Sequence, residues 1–184
     1  MKPSETGRIT HDDVELIYEL TGTGDPVVLI HASPFVGWYA PLVEQMPDFA
    51  VLRYHRRVQP AEPGMIRPLT VAEDAALCVQ LMDRVGWQVA HVAGHSYGAL
   101  VALGLALDNP GRVRTLVLLE PAARGISSNA QVVTALQPAI AAYRSGDREA
   151  AMDGFLRTVG GDHYRPSAGT RPSPPPCPRT DRRR

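Results

Sequence analysis

The stretch Gly94-His95-Ser96-Tyr97-Gly98 spaces a serine between two glycines in the pattern G-x-S-x-G. A serine hydroxyl does covalent chemistry when a turn lifts it clear of its neighbours and a base takes its proton. The flanking residues supply such a turn. Val89 to Ala93 is a short apolar run that reads as a buried strand, and Ala99 to Leu107 is a run of small and apolar residues that reads as a helix. Strand, sharp turn and helix make a nucleophile elbow, with Ser96 strained at its tip and its hydroxyl above the sheet edge. The N–H groups and positive dipole end of the helix then point at any anion formed there. Gly94 and Gly98 are expected where neighbouring backbone passes too close for a Cβ.

Other candidate chemistry is weaker. His91 and His95 stand four apart with a strand and a turn between them, and no further ligand is usefully spaced nearby, so no metal site is expected. His95 reads as the variable position of the elbow, and His11 and His55 as surface loop residues. Thr21-Gly22-Thr23-Gly24-Asp25-Pro26 contains a G-x-G, but no third glycine opens a helix and a strand follows, so it is a turn cluster.

The elements that must position Ser96 follow in order. Arg8 to Thr10 and Val14 to Leu20 predict an edge hairpin. The continuous apolar run Val27 to Ile30 predicts a central parallel strand, leading directly into His31-Ala32-Ser33-Pro34. Trp38 to Gln45 predicts a short helix and Val51 to Tyr54 a strand, followed by a polar loop. Thr70-Val71-Ala72-Glu73 is a capping box opening a helix that ends at Gly86. Val113 to Leu119 predicts another buried strand. Strands alternating with helices indicate an α/β fold: a mainly parallel sheet with helices on both faces. After Glu120-Pro121 the pattern changes to two amphipathic helices, Asn129 to Tyr143 and Asp147 to Val159. Arg165 to Arg184 then holds six prolines and six arginines without apolar periodicity, and is expected to be disordered.

Composition excludes several classes of function. The 184 residues carry a formal net charge of +0 and 44% hydrophobic residues, which gives no electrostatic footprint for nucleic acid or an anionic membrane. No apolar run is long enough to span a bilayer, and the N-terminus lacks the apolar stretch of a signal peptide. Cys78 and Cys177, far apart in unlike contexts, read as free thiols, so a cytoplasmic protein is expected.

In this order the pieces resemble the first two-thirds of an α/β-hydrolase fold protein: the strand with His31-Ala32-Ser33-Pro34, the Tyr54 to Arg57 segment, the elbow at Ser96, and Val113 to Pro121. The resemblance implies an incomplete hydrolase core at residues 1–121, N-terminal part only, then the start of a helical lid at 122–160 and a Pro/Arg-rich tail at 161–184. It implies hydrolase chemistry without choosing among esterases, lactonases, carbon–carbon bond hydrolases or haloperoxidases. Dehalogenases and epoxide hydrolases of this superfamily place Asp where this chain has Ser96, so an acyl-enzyme ester is expected. By resemblance the oxyanion hole is formed by the backbone N–H groups of Tyr97 and Ser33, and His31 braces the loop that carries Ser33. His31 can equally be a generic buried histidine. The family's triad runs Ser, then Asp or Glu, then His. Glu120, at the carboxyl end of the Val113 to Leu119 strand, is the one acid candidate within the chain. The competing reading is a glutamate that merely caps the strand loop. His163, the one histidine after Ser96, is poorly placed beside the tail.

The expected function is therefore a serine hydrolase of a small ester-like substrate, crippled because the triad histidine is missing from this chain. The alternatives are a non-catalytic binding or association fragment of the same fold and a cofactor-free haloperoxidase-like activity. The expected partner is a small-molecule substrate. No cofactor, nucleic acid or membrane partner is expected, and the open edge of the last strand offers self-association.

Overall fold

A hairpin opens the sheet: β1 (Ser4–His11) pairs antiparallel with β2 (Val14–Thr21), Arg8 standing opposite Ile17. In the computed structural model the described residues are 4–11, 14–32, 36–55, 69–122 and 127–164. β2 joins β4 (Phe49–Tyr54) antiparallel, and from there the sheet is parallel through β3 (Asp25–Ile30), β5 (Ala90–His95) and β6 (Val113–Leu119). The strand order is β1-β2-β4-β3-β5-β6. The chain thus moves from β3 to one side to form β4 and returns to the other side to form β5. That reversal opens a crevice at the carboxyl ends of β3 and β5, the usual ligand position of an open α/β sheet.

Helices cover both faces, as the alternation predicts. Val28, Ile30, Leu52, Tyr54, Ala90 and Val92 pack against α2 (Val71–Arg84) and α3 (Tyr97–Asp108). The alternate residues Val27, Leu29 and Val51 pack against Tyr39 and Val43, the latter in α1 (Ala40–Glu44). This period of two is what a strand buried on both sides requires. The capping box is present, with Thr70 N–H donating to Glu73 Oε2 at 2.7 Å and Glu73 N–H to Thr70 Oγ1 at 3.2 Å.

Four expectations are corrected. The helix expected at Trp38 begins as a 3-10 turn, Val36–Tyr39, and becomes α1 only at Ala40, with Pro41 in its first turn. The helix expected over Asn129 to Tyr143 is two, α4 (Ser127–Ala135) and α5 (Gln137–Arg144). Pro138 has no N–H and crowds the preceding turn, so the chain restarts at Leu136. β6 has the expected limits but is not buried: it is the last strand of the sheet, and Val117 and Leu119 are 48% and 44% exposed. His11 belongs to β1 rather than to a loop.

The chain divides into two compact units, residues 1–124 and 125–184. In the second, α6 (Arg148–Gly160) packs closely on α5: a Cβ on Gly154 would stand 3.2 Å from Ala139 Cβ. The expected tail, 165–184, lies outside the described residues.

Candidate active site

Ser96 leaves β5 with φ 55° and ψ −118° and is the residue from which α3 starts. A non-glycine residue at positive φ costs roughly 1–3 kcal/mol and persists only where its surroundings over-determine it. Here they do. The Ser96 N–H donates to Leu119 C=O at 2.8 Å, and its own C=O accepts from Ala99 N–H at 3.1 Å and Ala122 N–H at 3.2 Å. The flanking glycines are sterically required. A Cβ on Gly94 would lie 2.2 Å from Gly98 O. On Gly98 it would lie 2.2 Å from Ile30 O and 2.6 Å from His31 O. The turn is therefore closed against itself at Gly94, and its helix is pressed onto the end of β3 at Gly98.

The close approach at Gly98 places the start of α3 beside the segment leaving β3. Tyr97 is the first residue of α3, so its N–H is among the four amides that an α-helix leaves without an intrahelical partner. The Tyr97 phenol donates to Leu69 C=O at 3.2 Å, tying the elbow to the segment before α2. His31 is buried, and its Nδ1–H donates to Ala32 C=O at 2.6 Å. That bond fixes the tautomer and holds the ring in the first turn after β3. Ser33, the expected second oxyanion donor, lies outside the described residues.

Glu120 follows β6 directly, also at positive φ, 45°. Its side chain is 91% exposed, with Oε2 3.8 Å from His95 Nε2. The other face of the His95 story is Trp38, whose ring centroid lies 5.2 Å from the imidazole at a tilt of 55°. Trp38, His95 and Glu120 thus form a strip beside the Ser96 turn. In the sequence Trp38 opens the expected helix, and no spacing there announces its contact with His95.

His91 and His95 share a face of β5, because residues four apart on one strand point the same way. His91 Nδ1 stands 2.7 Å from Thr115 Oγ1, and its ring meets Phe49 edge-on. His55 Nε2 stands 3.6 Å from Glu19 Oε1, and Glu19 also binds Arg53. His163 belongs to the second compact unit. Burial pushes the Cys78 thiol up to about 12, so it is held neutral in the α2 core.

Comparisons with known proteins agree with this fold. The sequence profile described as alpha/beta hydrolase fold matches residues 25–170. A relative named "Putative carbamate hydrolase RutD", from Azorhizobium caulinodans, is 32% identical over 114 residues, covering 61% of this chain and 43% of the relative. A 2-hydroxy-6-oxo-6-phenylhexa-2,4-dienoate hydrolase from Comamonas testosteroni is 27% identical over 135 residues, covering 67% of this chain and 47% of the relative. The chain therefore spans less than half the length of these curated relatives. The crystal structure of an alpha/beta hydrolase from Sphaerobacter thermophilus superposes with a TM-score of 0.63 at 27% identity, covering 84% of this chain and 61% of that one. Among the described residues no helix is long and apolar enough to cross a membrane.

Proposed function

Because the chain belongs to the alpha/beta hydrolase fold family, we propose that Ser96 is the nucleophile of an acyl-enzyme hydrolase acting on a small carbonyl substrate, an ester or a carbamate. One observation carries the reading: a strained, non-glycine turn holds this serine at the carboxyl end of β5 and at the start of α3. In this reading Ser96 Oγ attacks the carbonyl carbon, and the Tyr97 and Ser33 amides receive the developing oxyanion. The alcohol of the ester, or the alcohol or amine of the carbamate, departs with the proton that Ser96 gives up, and water then cleaves the acyl or carbamoyl ester on Ser96, releasing the acid and restoring the hydroxyl. The match to a relative named for carbamate hydrolysis supports including carbamates, whose acyl carbon reacts by the same steps.

Glu120 is the acid of this proposal, carried on the turn that is hydrogen-bonded to the nucleophile turn through Leu119 and Ser96. The proton acceptor is the weak part of the 184-residue chain. One histidine, His163, follows Ser96 in the sequence, and this proposal gives it no part in the triad. Hydrolases stripped of a triad member keep about 10³–10⁴-fold catalysis over water through the oxyanion hole and binding. The chain alone is therefore expected to acylate slowly.

A fluorophosphonate probe tests this directly. Slow labelling of the folded protein, mapped to Ser96 and lost in Ser96→Ala, supports the proposal. A folded protein that stays unlabelled after prolonged incubation rejects it in favour of binding without turnover.

A further inference from the structure

The Ser96 turn and the turn after β6 are pinned to each other through their backbones, but a backbone does not aim a carboxylate. Glu120 carries its two oxygens on three rotatable bonds, and a side chain of that length samples many orientations unless something holds it. His95 is placed to do so. It is the last residue of β5 and stands opposite Leu119, the last residue of β6, so Glu120 begins one step beyond it. His95 Nε2 lies 3.8 Å from Glu120 Oε2, too far for a hydrogen bond and within the range of an ion pair. The imidazole is itself held. Its backbone is fixed in the sheet, and its ring rests against Trp38 at a centroid separation of 5.2 Å. Trp38 belongs to the 3-10 turn Val36–Tyr39, and the Tyr39 phenol donates to Ile30 C=O at 3.4 Å, which ties that turn to the end of β3.

We infer that His95 is a positioning residue: its imidazolium holds the Glu120 carboxylate in one orientation at the Ser96 turn, and so makes the reaction of Ser96 depend on pH. Histidine is the side chain that gains and loses its charge between about pH 5 and 8. On the acid side of that range the ion pair is made and Glu120 is held. On the alkaline side the ring is neutral and the carboxylate is released. The inference rests on the reading of Glu120 as the acid that serves Ser96.

The other titratable groups around this ring are engaged elsewhere. His91 lies on the same face of β5, four residues back, with Nδ1 2.7 Å from Thr115 Oγ1. His31 follows the pairing of Ile30 with Gly94 on the neighbouring strand, and its Nδ1–H is committed to Ala32 C=O. From the 3-10 turn comes Tyr39, whose phenol burial pushes up to about 12, so it stays neutral throughout this range. Among the described residues Glu120 is the carboxylate within ion-pair range of His95.

Fluorophosphonate labelling of the full chain at about pH 5.5 and about pH 8.5 tests this. The quantity read is the ratio of the parent rate to the Glu120→Gln rate, in which the intrinsic pH response of serine and probe cancels. The expected ratio is about two to five at the lower pH, the worth of an ion pair in contact with water, and it falls toward one at the higher. In a His95→Gln background it should be close to one at both. His95→Arg keeps its charge, so there the ratio should stay at about two to five at both. His91→Gln should leave the parent pattern unchanged. The comparison of parent with Glu120→Gln needs no change at His95, so it can be read even if the His95 variants fold poorly. A ratio that is the same at both pH values, or one that survives His95→Gln unaltered, overturns the inference and leaves the Ser96 reading intact. Absence of Ser96 labelling in the parent and in every variant overturns that reading, and the inference with it.

Discussion

Gly98→Ala isolates the contact that holds the Ser96 turn against β3. The added Cβ would sit 2.2 Å from Ile30 O and 2.6 Å from His31 O, both backbone atoms. An ordinary carbon–oxygen contact needs roughly 1 Å more, so the start of α3 must move away from β3 by about that amount. Overpacking of this kind costs roughly 1–3 kcal/mol, more where backbone meets backbone. For a chain of this size about 3–10 °C of melting temperature would be lost. A misplacement of about 1 Å at the reacting groups costs on the order of 10²-fold in rate. Gly104→Ala is the internal control in the same helix. There the Cβ meets side-chain carbons alone, Val71 Cγ1 at 3.2 Å and Ala75 Cβ at 3.9 Å, and an alanine in a helix interior gains up to about 1 kcal/mol over glycine. The assay pairs thermal unfolding with the rate of fluorophosphonate labelling. Gly98→Ala should lose in both, and Gly104→Ala in neither. If Gly98→Ala melts and labels like the parent, the elbow is not braced against β3 and the argument from close approach fails.

Three further outcomes follow from the same geometry. Ser96→Gly relieves a φ of 55°, so the protein should gain about 1 kcal/mol in unfolding free energy while losing all probe labelling; a less stable variant would refute the strain. Thr70→Ala removes the capping box at the start of α2 and should cost about 1 kcal/mol by chemical denaturation, and an unchanged midpoint would contradict it. The Cys78 thiol keeps its proton in the fold up to about 12, against an ordinary 9.0, while the unfolded chain gives it up earlier. Stability from this group is therefore full below pH 9 and is lost as pH rises toward about 12. Cys78→Ala should flatten that alkaline loss when melting is followed against pH, and the parent thiol should resist iodoacetamide until unfolding.

The parts of the fold set by local pattern were legible in the sequence. The apolar run Val27 to Ile30, the capping box at Thr70 and the stop at Gly86 each act over a few residues, and each appears where expected. The glycines of the elbow were also legible, because a strained strand-to-helix turn demands them wherever it occurs. Tertiary effects were harder to see. Pro138 broke a helix whose apolar spacing suggested continuity, since periodicity does not register a missing N–H. The open edge of β6 was expected, but its apolar run did not show which face stays bare: Leu116 and Leu118 pack against the core, while Val117 and Leu119 are half-exposed. The contact between Trp38 and His95 joins residues far apart in the chain, and no spacing rule could announce it.

Strain in the described residues is concentrated in one place. Apart from glycines, Ser96 and Glu120 are the two at positive φ, and each is the first residue after a neighbouring parallel strand. The two turns are joined at both ends: Ser96 N–H reaches Leu119 C=O, and Ala122 N–H reaches Ser96 C=O. Neither turn can relax without pulling on the other. A chain selected for stability alone would put glycine or asparagine at such positions, for a gain on the order of 1 kcal/mol each. Keeping a hydroxyl and a carboxylate there instead fits a site at which side-chain chemistry outweighs backbone comfort. Glu120→Gly separates the two turns' roles. If the acid matters only as backbone, the variant should be more stable and label Ser96 at the parent rate. If the carboxylate takes part, it should be more stable and label more slowly, which is the outcome expected from the coupling of the two turns.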